Sequence, residues 1–180
     1  MIAGSLSFSN SMDTSVAADQ VIGLTGSEGL VFHPVSFGSF NGGYFLHPAL
    51  PYREPDVLFI DRAGDILVLL SGVFFNIDKL SEEPVNSAHV SFPELAARLF
   101  LKEGPGFVSR LNGDFVIFIY QPELKLAYLF RDHAGIRPLA CTCDGETLTF
   151  SSDIDGLCRA VSGCREPDTE YLLGYFKYID

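Results

Sequence analysis

Residues Gly104–Leu139 read GPGFVSRLNGDFVIFIYQPELKLAYLFRDHAGIRPL, and this stretch decides the fold class. Asp114–Tyr120 and Leu126–Arg131 are two runs rich in Val, Ile, Phe, Tyr and Leu, separated by Pro122-Glu123, and they predict paired strands. His133–Gly135 and Asp144-Gly145 supply further turns, so Pro138–Cys143 and Thr147–Ser151 continue as strands. On the N-terminal side, Gly106–Leu111 predicts a short helix. Residues 91–104 predict a longer one: Ser91 and Glu94 have capping-box spacing, Pro93 sits in the first turn, Leu95, Leu99 and Phe100 form a stripe, and Gly104 is the stop. Further out, Leu58–Asp61 and Asp65–Leu70 flank Arg62-Ala63-Gly64 as a hairpin, and Asp65–Leu70 lacks alternation, as a strand buried on both faces does. Gly29–Phe40 reads as extended, Gly42-Gly43 as a turn, and Asp155–Val161 and Thr169–Phe176 as helices. Strands in runs and helices in pairs predict an α+β fold with layered antiparallel sheets.

The 180 residues fit one domain, or one domain and a fragment of a second. With 47% hydrophobic and 19% charged residues, the chain is not intrinsically disordered. The net charge is −11, and Arg53 and Arg62 are the only cations in residues 1–78, which excludes an electrostatic grip on nucleic acid or a polybasic membrane patch. The longest apolar stretch, Ile66–Ile77, is interrupted by Ser71, Gly72 and Asn76 and falls short of the ~20 residues a membrane helix needs. The opening MIAGSLSFSNS carries neither a basic region nor a cleavage pattern, so no signal peptide is expected and a cytoplasmic location is. Cys141, Cys143, Cys158 and Cys164 contain no C-x2-C pair, and the expectation is free, mostly buried thiols, with Cys141 and Cys143 on one strand face. His33, His47 and His89 are scattered and His133 reads as a turn residue, so no metal site is expected.

The Gly104–Leu139 stretch resembles the class II glutamine amidotransferase domain of asparagine synthase, where a G-x-x-F…L-x-G-x-F-x-F-x-x-Y run leads to R-D-x-x-G-x-x-P-L. Other segments follow in that family's order. Ile2-Ala3-Gly4 is similar to the end of C-G-I-A-G, Ser71–Asn76 to N-G-E-I-Y-N, and Ser151–Ile154 to A-S-E-I, while residues 169–178 are similar to the lead into the synthetase domain. The likeness covers the chain from about residue 64 onward, and the family's H-R-G-P-D loop has no place within residues 5–60. It implies an N-terminal-nucleophile (Ntn) hydrolase αββα sandwich, two antiparallel sheets flanked by helices. The implied domain spans residues 1–165, and residues 166–180 begin the passage to a synthetase domain.

Glutamine hydrolysis on this fold uses a nucleophile at the chain start with the free α-amine as base, an oxyanion hole, and charged partners for the substrate. The family's cysteine stands immediately before Gly-Ile-Ala-Gly; here Met1 takes the Gly position, and no Cys precedes Cys141. Ser5, Ser7 and Ser9 read as strand serines, because a neutral Ser without a base is a poor nucleophile. The resemblance places the oxyanion Asn-Gly on Ser71-Gly72: Gly72 keeps the backbone donor, while Ser71 is too short to present an amide, and read from the residues alone the pair is a strand end followed by a turn. Losing one such donor costs ~2.7–4 kcal/mol of transition-state stabilisation. The family's amine-binding Asp falls on Phe92, which reads as core or helix-start packing. The substrate-gripping arginine has no match; Arg53 is nearest, in a solvated loop. Arg131-Asp132 reads as an ion pair or a turn-capping unit, and Asn76 as a satisfied buried amide.

These losses point to a glutaminase-deficient domain of an asparagine-synthase-related, ATP-dependent amide-forming enzyme, as in β-lactam synthetases and lasso-peptide cyclases. No catalytic residue and no cofactor is then expected in this chain; ATP and Mg belong to a synthetase domain beyond Asp180, the expected partner, and the apolar helix near the C-terminus suits a homo-oligomer as well. Two alternatives stay open: an active amidotransferase whose Cys lies upstream of Met1, and a free-standing binding module.

Overall fold

The computed structural model describes residues 1–8, 29–80, 91–161 and 168–176. Nine strands form two antiparallel sheets among these residues. The first sheet joins β1 (Ile2–Ser7), β2 (Val31–Phe37), β3 (Phe40–Leu46), β8 (Ala140–Cys143) and β9 (Thr147–Ser151) in the order β2-β3-β1-β9-β8. The second joins β4 (Leu58–Asp61), β5 (Ile66–Phe74), β6 (Gly113–Gln121) and β7 (Leu126–Arg131) in the order β4-β5-β6-β7.

Alternation along β5 and β6 builds two cores from one sheet. Leu67, Leu69, Val116 and Phe118 point inward and meet Ile2, Leu6, Phe40 and Phe150 of the first sheet. Ile66, Val68, Leu70, Ile117 and Ile119 point outward and are covered by α2 (Phe92–Glu103) through Leu95, Ala96, Leu99 and Phe100. Being buried on both faces, β5 needs no polar alternation, and Ile66–Leu70 are fully buried, as their sequence pattern predicts. On the outer face of the first sheet, Leu157 of α3 (Ile154–Ala160) packs on Ala3. Helix, sheet, sheet and helix are the four layers of the αββα sandwich. The short α1 (Ile77–Leu80) follows β5, and α4 (Thr169–Phe176) carries exposed Tyr171, Leu172 and Leu173.

Several local expectations hold. Ser91 caps α2 by accepting from the Glu94 backbone N–H at 3.4 Å, and Gly104 ends it at φ +70° with its N–H donated to Phe100. The short helix after it is a 3-10 stretch, Gly104–Arg110. Two expectations are corrected. Gly42-Gly43 is no turn but lies inside β3, between β1 and β2; a Cβ on Gly42 would come within 2.5 Å of the Ala3 carbonyl oxygen, and one on Gly43 would overlap that of His33. The chain reverses instead at Gly38-Ser39. The cysteines are not mostly buried: Cys141 and Cys143 are exposed on the edge strand β8, Cys158 is half-buried, and Cys164 lies outside the described residues.

Candidate functional site

The start of β1 is clamped by the residue after β9. Ser152 donates its backbone N–H to the Ile2 carbonyl at 2.9 Å, and its Oγ both accepts from the Ile2 N–H at 2.9 Å and donates to that carbonyl at 3.1 Å. Ser152 lies within the Ser151–Ile154 motif, and nothing local in the sequence marks this clamp, which joins residues 150 positions apart. The Met1 α-amine donates to Phe45 at 3.4 Å, and burial, with the Arg137 guanidinium adding to it, lowers it to about 6. Ser5 is buried with its hydroxyl 3.4 Å from that of Thr149, Ser7 is buried, and Ser9 lies outside the described residues.

Ser71-Gly72 is no strand end followed by a turn but lies inside β5, paired with β6, and Ser71 continues the inward row of Leu67 and Leu69. It stands half-buried opposite Val116. Gly72 points to the helix side opposite Phe115, at φ +141°; a Cβ there would overlap the Asp114 carbonyl oxygen and come within 2.7 Å of the Phe115 Cα. Close approach of the β6 backbone therefore fixes glycine at this position.

Phe92, the first residue of α2, packs against the outer core with its ring edge-on to Phe74 at 5.3 Å. It is thus core and helix-start packing at once, on the face of the second sheet opposite to Ser71. The structure does not gather Ser71 and Phe92 into one cluster. Arg53 is exposed, its backbone N–H donated to Asp56 at 2.8 Å in the turn before β4. A pocket lined by Ser7, Gly38, Ser39, Tyr120, Pro122 and Lys125 opens at the far end of β6, away from Ser71, Gly72, Phe92 and Arg53, which do not line it.

The turn after β7 is built by the Arg131-Asp132 pair, each residue acting on the backbone. Asp132 is buried and accepts from the Ile136 and Arg137 N–H groups at 2.8 and 3.0 Å, while Arg131 donates to the Gly135 and Arg137 carbonyls. It is a turn-capping unit. Asn76 is satisfied but only half-buried, donating to the Arg110 carbonyl and accepting from the Asn112 N–H, both at 2.9 Å. His33 stacks on Tyr44 at 5.0 Å, His47 accepts from the Ala49 N–H, His133 is exposed in its turn, and His89 lies outside the described residues. Among the described residues no group of three or more His, Cys, Asp or Glu is arranged to hold a metal.

A family model described as a glutamine amidotransferase domain matches residues 58–179. The chain belongs to this family. It is 32% identical over 101 residues to "Asparagine synthetase [glutamine-hydrolyzing] 2" of Bacillus subtilis, covering 55% of this chain and 14% of the relative. It is 28% identical over 107 residues to "Putative asparagine synthetase [glutamine-hydrolyzing] 2" of Methanocaldococcus jannaschii, covering 59% and 20%. The chain thus spans a fifth or less of the curated relatives it matches. The glutamine PRPP amidotransferase of B. subtilis, solved with ADP and GMP, shares the fold, with a TM-score of 0.60 at 15% identity over 88% of this chain and 43% of that one. The amidotransferase domain is therefore related to asparagine synthetases and carries the sandwich fold. None of the helices among the described residues is long and apolar enough to cross a membrane.

Proposed function

We propose that this amidotransferase domain is glutaminase-deficient and serves an asparagine-synthase-related enzyme that forms an amide from an ATP-activated carboxylate without free ammonia, in the manner of β-lactam synthetases and lasso-peptide cyclases. The observation that carries the reading is Phe92. Where the resemblance places the amine-binding carboxylate, an aromatic ring packs edge-on against Phe74 in an apolar cluster. Ser71 in the oxyanion position points the same way. In this reading ATP and Mg act in a synthetase domain of the same cytoplasmic protein, and α4, with Tyr171, Leu172 and Leu173 exposed, leads from the domain of residues 1–165 into that partner.

Ammonia release from glutamine by the purified protein tests it. Background release is expected, also after inserting Cys-Gly before Ile2, and with Ser71→Asn or Phe92→Asp alone, because residues that act as a unit in catalysis do not contribute singly. Release well above background that a thiol alkylator abolishes overturns it. A second reading, an active amidotransferase with its cysteine upstream of Met1, is favoured by the words "glutamine-hydrolyzing" in the relatives' names. A Cys codon directly upstream of Met1 in the gene would support it.

A further inference from the structure

The cysteines of β8 stand apart from every position considered above. Cys141 pairs with Phe150 and Cys143 with Leu148, so both side chains share the inward face of the first sheet. β8 is the edge strand of its sheet, and both cysteines are exposed. Two residues along an extended strand place the Cα atoms about 6.6–6.8 Å apart, at the upper limit for a disulfide, with parallel Cβ vectors that do not converge. Direct oxidation to a bridge therefore requires the strand to move. A single soft ion between the sulfurs makes no such demand, since two metal–sulfur bonds of about 2.2–2.3 Å span a gap near 4.5 Å, which rotation about χ1 reaches. Zinc requires four ligands, and no group of three metal-ligating side chains stands among the described residues.

We propose that Cys141 and Cys143 form a two-thiolate site for a soft monovalent cation of linear coordination, Cu(I). Thiolates select such ions over hard cations, and exposure on an edge strand gives the ion direct access. Binding forms two Cu–S bonds and releases two thiol protons to solvent, with no change of oxidation state.

The test uses the whole reduced chain under anaerobic conditions, competing with bicinchoninate for Cu(I) and reading loss of the coloured Cu(I)–bicinchoninate complex. Withdrawal of one equivalent of Cu(I) is expected. Cys141→Ser and Cys143→Ser should each lose it, while the double variant Cys158→Ser/Cys164→Ser retains it. Phenylarsine oxide, which needs two adjacent thiols, should give a stable mass adduct with the wild type and with Cys158→Ser/Cys164→Ser but with neither single β8 variant. Thermal melting confirms that each variant folds. No withdrawal by the wild type, wild-type withdrawal by either single β8 variant, or loss in Cys158→Ser/Cys164→Ser overturns the proposal.

Discussion

Replacing Asp132 with Ala should destabilise the domain through the turn it organises. The carboxylate accepts from Ile136 and Arg137, its backbone N–H is donated to Phe115 at 2.9 Å, and its carbonyl accepts from Gly135 at 3.1 Å. Substitution removes only the two side-chain bonds. Hydrogen bonds to a charged group contribute ~1.5–3 kcal/mol each, so two set a ceiling of about 3–6 kcal/mol. Ile136 is exposed and Arg137 half-buried, so water can satisfy part of what is freed, and the expected cost is about 2–3 kcal/mol. Asp132→Asn retains one acceptor oxygen but turns an amide donor toward a backbone donor, and should cost about half as much. With a urea slope of ~2–3 kcal/mol/M, Asp132→Ala lowers the unfolding midpoint by about 1 M. The acid limb gives a second, independent readout. Burial pushes this carboxyl up, but backbone N–H donors, those of Arg137 and Ile136 first, outweigh it and hold it below the usual range. A carboxyl depressed in the folded state contributes stability that is present above its unfolded value and lost as pH falls through the folded one. Asp132→Ala should therefore flatten the loss of stability on acidification below about pH 4. A midpoint within about 0.2 M of wild type, with an unchanged acid limb, refutes the assigned role.

Gly72→Ala should leave little folded protein, because its Cβ has no room against Asp114 and Phe115 and the φ of +141° is unfavourable for any other residue; circular dichroism of the purified variant checks it. Phe92→Asp should lower the melting temperature more than Phe92→Leu, since it places a carboxylate against Phe74 while the leucine keeps the apolar contact. Equal melting temperatures for the two would remove Phe92 from the core.

The strands that decide the fold were legible because their causes are local. Ile66–Leu70 and Phe115–Tyr120 are buried on both faces, so apolar continuity alone marks them, and Ser91, Glu94 and Gly104 set the ends of α2 through bonds within a few residues. Gly42-Gly43 was misread because a glycine pair signals a turn locally, whereas here it answers the close approach of Ala3 and His33, about forty and ten residues away in sequence. The exposure of Cys141 and Cys143 was illegible for a related reason: β8 alternates like any half-buried strand, and only its place at the sheet edge opens the inward face.

The candidate site divides along the same line. The resemblance assigns the family's site to Ser71, Gly72 and Phe92, but their physical surroundings come from contacts the linear sequence does not display. Successive side chains of β5 pass to opposite faces, so Ser71 belongs to the inter-sheet side, while Gly72 and Phe74 belong to the side covered by α2. Phe92 sits on that second side and ties the first turn of α2 to Phe74, itself edge-on to Phe115 at 5.5 Å. A carboxylate at 92 would lose the edge-on ring contact and place charge beside Phe74 at the border of the apolar cluster. The aromatic ring at this position therefore anchors the first turn of α2 on the sheet, which an aspartate could not do in the same packing.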